Sequence, residues 1–114
     1  MFLVKHHFAL FILILCHAFQ SNADVFEVKG LLVHSIAQIE DDEEAPFEIR
    51  AVNKRHKCGG DSSNLFRVYS EYDLVGERQF NMAMTAMELG YTLSLSTKSC
   101  EGKALIVNKI KISR

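Results

Sequence analysis

Two cysteines, Cys58 and Cys100, limit the folds open to this 114-residue chain more than any other feature. The third cysteine, Cys16, belongs to an N-terminal stretch with the character of a leader. An even number of cysteines in a small exported chain is typical of a disulfide bond. Closing a loop of about 40 residues would stabilise the fold by roughly 4 kcal/mol. We therefore predict a disulfide between Cys58 and Cys100 rather than a redox centre, which would need a close Cys-x-x-Cys pair.

The first 23 residues have the three features of a secretory signal peptide. Lys5 and two histidines precede an apolar run, residues 8–15, and Ser21 and Ala23 form a small-residue cleavage site. The apolar run is far shorter than the ~20 residues that span a bilayer. We therefore predict cleavage after Ala23, a mature chain of residues 24–114 without a membrane span, and a secreted or periplasmic location.

The net charge and the length limit the partners and the number of domains that we expect. The chain carries 13 Lys and Arg residues against 14 Asp and Glu residues, a formal net charge of −1. A nucleic-acid-binding domain usually concentrates basic residues on one face, so we predict no nucleic-acid partner. A mature chain of about 90 residues is long enough for a single domain with a thin core.

Five segments after the leader have the composition or the alternation of β-strands. Residues 25–39 predict a long strand, or two strands bent at Gly30, because a glycine inside a strand often marks a bulge or a barrel corner. The acidic run 40–44 predicts a solvated hairpin loop. The remaining strand candidates are residues 47–53, 65–70, 91–97 and 104–112. We expect Cys100 and Gly102 in the turn between the last two strands.

The spacing of apolar residues changes between the third and fourth strand candidates. Residues 76–89 have apolar side chains at the spacing of one helical face, which predicts an amphipathic helix. The residues of that face are Phe80, Ala83, Met84 and Met87. We interpret the face, with neighbouring Met82, as a Met-rich core stripe. Asp73 or a close neighbour is expected to cap the start, and Gly90 to end the helix in a left-handed conformation.

The predicted fold is mainly β, in the order β-β-β-α-β-β. Five strands with a helix between the third and fourth are the plan of the OB-fold, a small and partly open Greek-key barrel. The predicted disulfide would tie the loop between the second and third strands to the final hairpin. It would thus join the two halves of the sheet that the helical connection separates.

Several short motifs carry a resemblance to a known group of proteins. The motif residues are Cys58, Gly59, Thr85, Ala86, Gly90, Cys100 and Gly102. With the strands around them, they resemble a group of small exported proteins of Gram-negative bacteria, most of which are uncharacterised. The resemblance covers residues 58–112.

More distantly, the group is similar to the B subunits of pentameric A–B toxins, such as subtilase cytotoxin and pertussis-type toxins. This resemblance implies an OB-fold and binding of a cell-surface glycan. It assigns no sugar-binding residue to this sequence, so the glycan is implied by the fold alone.

Catalytic motifs are absent from the sequence. It contains no Gly-x-Ser-x-Gly elbow, no Gly-rich phosphate loop and no His-Glu-x-x-His helix. After the leader, only His34 and His56 remain as imidazoles, and Cys58 is expected to be oxidised. We therefore predict no enzymatic activity, no catalytic residue, no metal site and no cofactor.

Short polar side chains and two tyrosines after Cys58 are candidates for ligand binding. They are Asp61, Ser62, Ser63, Asn64, Tyr69 and Tyr72. Short polar groups suit sugar hydroxyls, and tyrosine rings offer faces for stacking. The plainer interpretation is an ordinary turn followed by core aromatics.

Two functions remain open. The first is a secreted binding module, a glycan-binding and toxin-B-like subunit that forms a homo-oligomer. The second is a periplasmic structural or interaction protein that binds another exported protein and no small molecule. In the second case the acidic run 40–44 and the basic run 54–57 would lie at opposite ends of the second strand, and copies would pair head to tail.

Overall fold

The computed structural model describes residues 26–39 and 46–114, which contain six strands and one helix. The strands are β1 (Phe26–Leu31), β2 (Val33–Gln38), β3 (Phe47–Ala51), β4 (Leu65–Val68), β5 (Thr92–Glu101) and β6 (Ala104–Ser113), and the helix is α1 (Asp73–Leu89). The predicted leader and the acidic run 40–44 lie outside the described residues. Within the described part of the chain, no helix is long and apolar enough to cross a membrane.

The strands form one mixed sheet in the order β1-β5-β6-β4-β3-β2. Neighbours are antiparallel except β4 and β6, which run parallel. A parallel pair needs a long crossover, and α1 together with β5 supplies it. The prediction of a mainly β fold with one helix and one disulfide is confirmed. The sheet differs from the predicted five-stranded, partly open barrel, since it has six strands and is open.

The sixth strand arises because the first predicted strand is broken in two. Gly30 has a φ of +67°, and the pairing of β1 with β5 shifts between Val28 and Leu31, so a bulge bends the chain there. Leu32 then leads into β2, which pairs with β3. The Asn53 side chain bridges this bend, because its amide donates to the Gly30 carbonyl at 2.8 Å and accepts from the Leu32 amide at 2.9 Å. The two edge strands of the sheet are therefore consecutive in the chain.

The core lies between the sheet and α1. Its largest fully buried side chains include Phe66, Leu31, Ile49, Leu93 and Leu95. Leu93 and Leu95 alternate with half-buried polar residues along β5, as the sequence predicts. Thr97 continues the buried row and donates from its hydroxyl to the Phe26 carbonyl at 2.9 Å. This bond ties the start of β1 to the middle of β5.

The helix turns small residues, rather than methionines, toward the sheet. Its buried residues are Gln79, Ala83 and Ala86. Phe80 and Met82 pack against the core from beside them, whereas Met84 and Met87 are half-buried. The Met-rich stripe is thus not the buried face, because alanine allows the helix to lie closer to the sheet. One of the three buried positions holds a polar glutamine.

The helix ends where predicted but begins nearly one turn earlier. Gly90 adopts a φ of +69°, and its N–H donates to the Ala86 carbonyl. At the other end Asp73 is the first helical residue and not the cap, and Tyr72 precedes it with no side-chain capping bond. The Ser70 hydroxyl donates to the Tyr72 carbonyl at 2.8 Å, which holds the turn that leads into the helix.

The predicted disulfide is present. Cys58 and Cys100 are joined with a Cα–Cα distance of 5.3 Å. Cys58 is buried in the loop between β3 and β4, as expected. Cys100 lies within β5 rather than in the turn, because β5 and β6 stay paired as far as Glu101 and Ala104. The turn is therefore only two residues long, and Gly102 takes a φ of +59° in it.

Candidate functional site

A groove of about 810 Å³ opens beside the first half of α1. Its walls come from the segment after β4, from the helix, from the last residues of β5 and from residues 106–108 in the first half of β6. The side chains that matter below are Tyr69, Glu71, Tyr72, Gln79, Lys98 and Glu101. We name this feature the helix groove. Its volume is within the range of small-molecule binding sites, roughly 300–1,000 Å³.

Tyr69 directly follows β4 and lines the helix groove. Within β4, Phe66 and Val68 are buried, and Arg67 between them is half-buried and faces the other side of the strand. The Tyr69 hydroxyl donates to the Glu101 carboxylate at 2.5 Å. Glu101 is the last residue of β5 and directly follows Cys100. The disulfide therefore fixes the strand end from which this carboxylate projects.

Arg67 links two carboxylates, and one of them, Glu101, lines the groove. Its Nη2 donates to Glu48 Oε2 at 2.9 Å, and its Nη1 donates to Glu101 Oε1. Glu48 stands directly opposite Arg67 across β3 and β4, where opposite charges stabilise a sheet. Burial opposes the charge of Arg67, but the hydrogen bonds to Glu48 and Glu101 outweigh burial and raise its pKa. The bond that Tyr69 donates to Glu101, with burial second, raises the pKa of Tyr69. Glu101 is thus held in one orientation by two donors.

Gln79 is the feature of the helix groove that packing alone does not explain. It is 7% exposed and lines the groove, and its side-chain oxygen Oε1 has no hydrogen-bond partner among the described residues. A buried polar atom without a partner costs roughly 1–3 kcal/mol, and native structures leave few such atoms. A ligand that donates a hydrogen bond inside the groove would satisfy this acceptor.

A second, smaller groove lies on the other side of Tyr72. It has a volume of about 250 Å³, and Asp73, Glu77 and Phe80 contribute to its walls. Ser70 and Tyr72 line both grooves. Tyr72 is thus shared by the two grooves, and it is 69% exposed. We name this feature the side groove.

The sequence-predicted binding residues divide into two groups. Tyr69 and Tyr72 lie together in the helix groove, whereas the other four are in the loop between β3 and β4. Ser63 donates to the Lys103 carbonyl at 2.8 Å, and Asn64 donates to the Ala51 carbonyl at 2.9 Å. Ser62 accepts a hydrogen bond of 2.6 Å from Arg55, and Asp61 is exposed. The side chains of Ser62, Ser63 and Asn64 thus bind their own fold, and a ligand in this loop stays a prediction.

The imidazole beside Cys58 is engaged by backbone groups. His56 Nε2 donates to the Leu65 carbonyl at 2.7 Å, which leaves Nδ1 to accept from the Cys58 amide at 3.2 Å. These two bonds fix one tautomer of the ring. His34, by contrast, is exposed on β2. Among residues 26–39 and 46–114, no group of three or more His, Cys, Asp and Glu side chains is placed to hold a metal ion.

The sequence patterns did not identify Gln79 and Glu101 as candidate site residues. A glutamine within a helix is usually solvent-exposed, and a glutamate before a glycine turn is usually an ordinary loop residue. The available signal was the spacing of Gln79 with Ala83 and Ala86, which places all three on one helical face. No model of a known protein family matches the chain, and no curated protein matches its sequence.

Proposed function

We propose that the chain is an exported, non-enzymatic binding module that holds a polar ligand, a carbohydrate of a cell surface, in the helix groove. The observation that carries the proposal is the buried Gln79 oxygen without a partner in a wall shared with two tyrosines. Ligand sites typically combine aromatic surface with a few convergent polar groups. Tyr69 and Tyr72 supply the surface, and Gln79 and Glu101 supply hydrogen-bond acceptors.

The strand connections support an OB-like scaffold for this module, although the sheet is open. If β1 and β2 are counted as one bent strand, the sheet has five strands. The first of the five then pairs with the second, through β2 and β3, and with the fourth, through β1 and β5. The third and fifth are the parallel pair, and the helix precedes the fourth. Barrels of this plan bind oligosaccharides and oligonucleotides. Since fold does not fix function, the groove carries the argument and the scaffold adds to it.

The disulfide supports the exported location. Disulfides persist in oxidising compartments and are rare in the cytosol, and this one follows a sequence with the features of a signal peptide. The surroundings of Cys58 support a non-enzymatic role. Its sulfur is in the disulfide, and both nitrogens of His56 bond to backbone, which argues against a role for either residue as a nucleophile or base.

A glycan array with the refolded mature chain tests the proposal. We expect discrete hits that weaken at least about tenfold for Tyr72→Ala, because truncating an aromatic contact residue typically removes that much affinity. Leu74→Ala is the matched control, since Leu74 is 66% exposed and close in sequence but lines neither groove. A blank array, or hits that Tyr72→Ala leaves unchanged, would contradict the proposal.

An exposed apolar patch favours a second candidate, the interaction protein without a small ligand. Tyr72, Leu74 and Val75 are 69%, 66% and 42% exposed at the start of α1, and such patches often contact other proteins. This candidate predicts a blank array and a complex with another exported protein that Leu74→Ala weakens. Light scattering separates the toxin-like version of the first candidate, which predicts a pentamer-sized particle, from a monomeric binder.

A further inference from the structure

We propose that the loop between β3 and β4, together with the turn between β5 and β6, binds a sulfated polysaccharide. The basic side chains of this surface are Lys54, Arg55, Lys57 and Lys103, and we name it the basic surface. It is a second site that does not depend on the helix groove, because none of the four side chains lines either groove.

The fold adds Lys103 to the basic run 54–57. The Ser63 hydroxyl donates to the Lys103 carbonyl at 2.8 Å, which ties the turn to the loop. The Lys103 side chain also lies against the loop, since a Cβ atom at Gly59 would be 3.2 Å from Lys103 Cγ. Residues that are more than 40 positions apart in the sequence therefore contribute cations to one surface.

The positive charge of the basic surface is not compensated by ion pairs. Among the described residues, ion pairs form only within β1 and around Arg67, so none of the four cations takes part in one. Asp61 is the only acid in residues 52–64. Beside the turn, Glu101 accepts hydrogen bonds from Arg67 and Tyr69. Three of the four cations are exposed and Lys54 is half-buried, and a surface of this kind attracts anionic chains.

Arg55 is held in an orientation that suits an anion. Its Nε donates to Ser62 Oγ at 2.6 Å, and its Nη2 donates to the Ser62 carbonyl at 3.3 Å. A guanidinium has five N–H donors, so further donors remain on an exposed group that two hydrogen bonds orient. A planar set of donors suits the oxygens of an anionic group, and the lysines add mobile point charges. This combination favours a chain that carries many anionic groups.

The side chains between the cations favour a polysaccharide over a nucleic acid or a membrane. Residues 54–64 contain no Phe, Tyr or Trp, and the ring of His56 packs edge-on against Phe66 at 5.0 Å. Proteins that bind single-stranded nucleic acids stack the bases on aromatic rings. Segments that bind membrane surfaces combine basic residues with large apolar side chains. The exported location proposed above also suits a polysaccharide.

Calorimetric titration of the refolded mature chain with four probes tests the proposal. The probes are dextran sulfate, unsubstituted dextran of the same length, a single-stranded oligonucleotide, and vesicles that contain phosphatidylglycerol. We expect dextran sulfate to bind at least about tenfold more tightly than each of the others. Raising the salt from about 0.05 M to about 0.5 M should weaken that binding severalfold, because exposed charges are screened.

Paired variants assign the binding to the basic surface. The double variant Lys57→Gln, Lys103→Gln should bind dextran sulfate severalfold more weakly than the parent. The double variant Lys109→Gln, Lys111→Gln is the matched control, because it removes the same charge from exposed positions farther along β6. It should change the affinity by less than about twofold, and both double variants should keep the parental thermal midpoint. Tyr72→Ala should leave dextran sulfate binding unchanged.

The possible failures are distinguishable. An equal loss of affinity in the two double variants would show attraction to net charge alone and would overturn the proposal. Dextran, the oligonucleotide or the vesicles binding as tightly as dextran sulfate would overturn the assignment to a sulfated polysaccharide. A loss with Tyr72→Ala would move the ligand to the helix groove. The array that tests the helix groove carries sulfate-free glycans. A blank array beside intact dextran sulfate binding would therefore contradict the helix groove and uphold the basic surface.

Discussion

Single side chains hold two of the places where the backbone departs from regular structure. Asn53 bridges the bend between β1 and β2, and Ser70 holds the turn before α1. The Asn53 side chain binds backbone groups of Gly30 and Leu32. The Ser70 hydroxyl donates to the Tyr72 carbonyl and accepts from the Tyr72 amide, and Ser70 and Tyr72 line both grooves.

We expect Asn53→Ala to destabilise the fold by about 1–2 kcal/mol, since it removes two hydrogen bonds to backbone groups at the bend. Chemical denaturation measures the change. Asn108→Ala, on an exposed position of β6, is the control and should stay within about 0.5 kcal/mol of the parent. Equal stability of both variants would show that the bend does not depend on the Asn53 side chain.

The hydrogen bond between Tyr69 and Glu101 predicts a pH dependence of stability. The folded state raises the pKa of Tyr69, so folding favours the protonated phenol. The resulting stabilisation is fully present below the ordinary tyrosine pKa of about 10 and is lost as the pH rises through the folded-state value. Denaturation of the parent should therefore show a steeper loss above about pH 10 than Tyr69→Phe shows. Identical profiles would contradict this role for Tyr69.

At the scale of elements, the disulfide stabilises the groove as well as the fold. It joins the loop after β3 to the end of β5, and Glu101 follows Cys100 directly. Gly59 follows Cys58 and lies close to the hairpin turn between β5 and β6. A Cβ atom at Gly59 would lie 3.3 Å from the Gly102 carbonyl oxygen. The loop and the hairpin are thus in close contact around the disulfide, and the groove wall depends on that contact.

The double variant Cys58→Ala, Cys100→Ala should lose roughly 4 kcal/mol of stability, as expected for opening a loop of this size. We also expect weaker ligand binding, because the end of β5 that carries Glu101 would no longer be fixed. Denaturation and titration of the double variant measure the two effects. Oxidised and reduced samples of the parent protein provide the control. A double variant with parental stability and affinity would show that the disulfide is dispensable for both.

Elements were predictable from sequence where the signal was local. The alternation of apolar and polar residues in β5 predicted its buried face. Gly90 predicted the end of α1, because the left-handed conformation after a helix favours glycine. The start of α1 had no capping side chain to reveal it, since Tyr72 makes no such bond. Cys100 was placed in a turn because the length of β5 depends on its pairing with β6. Local spacing does not report such pairing.

At the scale of the whole molecule, the site arises from contacts that no local pattern encodes. The parallel pairing of β4 with β6 brings Tyr69 beside the end of β5. Packing of α1 on the sheet then buries Gln79 in the same wall. Tyr69 and Tyr72 were found as candidates because aromatic side chains stand out in a sequence. Gln79 and Glu101 acquire their roles only from the assembled fold.

The central claim is that a ligand fills the helix groove and satisfies Gln79. Solution NMR of the isotope-labelled mature chain, titrated with the tightest glycan from the array, tests it most directly. We expect the Gln79 side-chain amide and the rings of Tyr69 and Tyr72 to shift together on binding, while the loop signals of Asp61 and Ser62 stay in place. Shifts confined to that loop, with an unchanged Gln79 amide, would contradict the account.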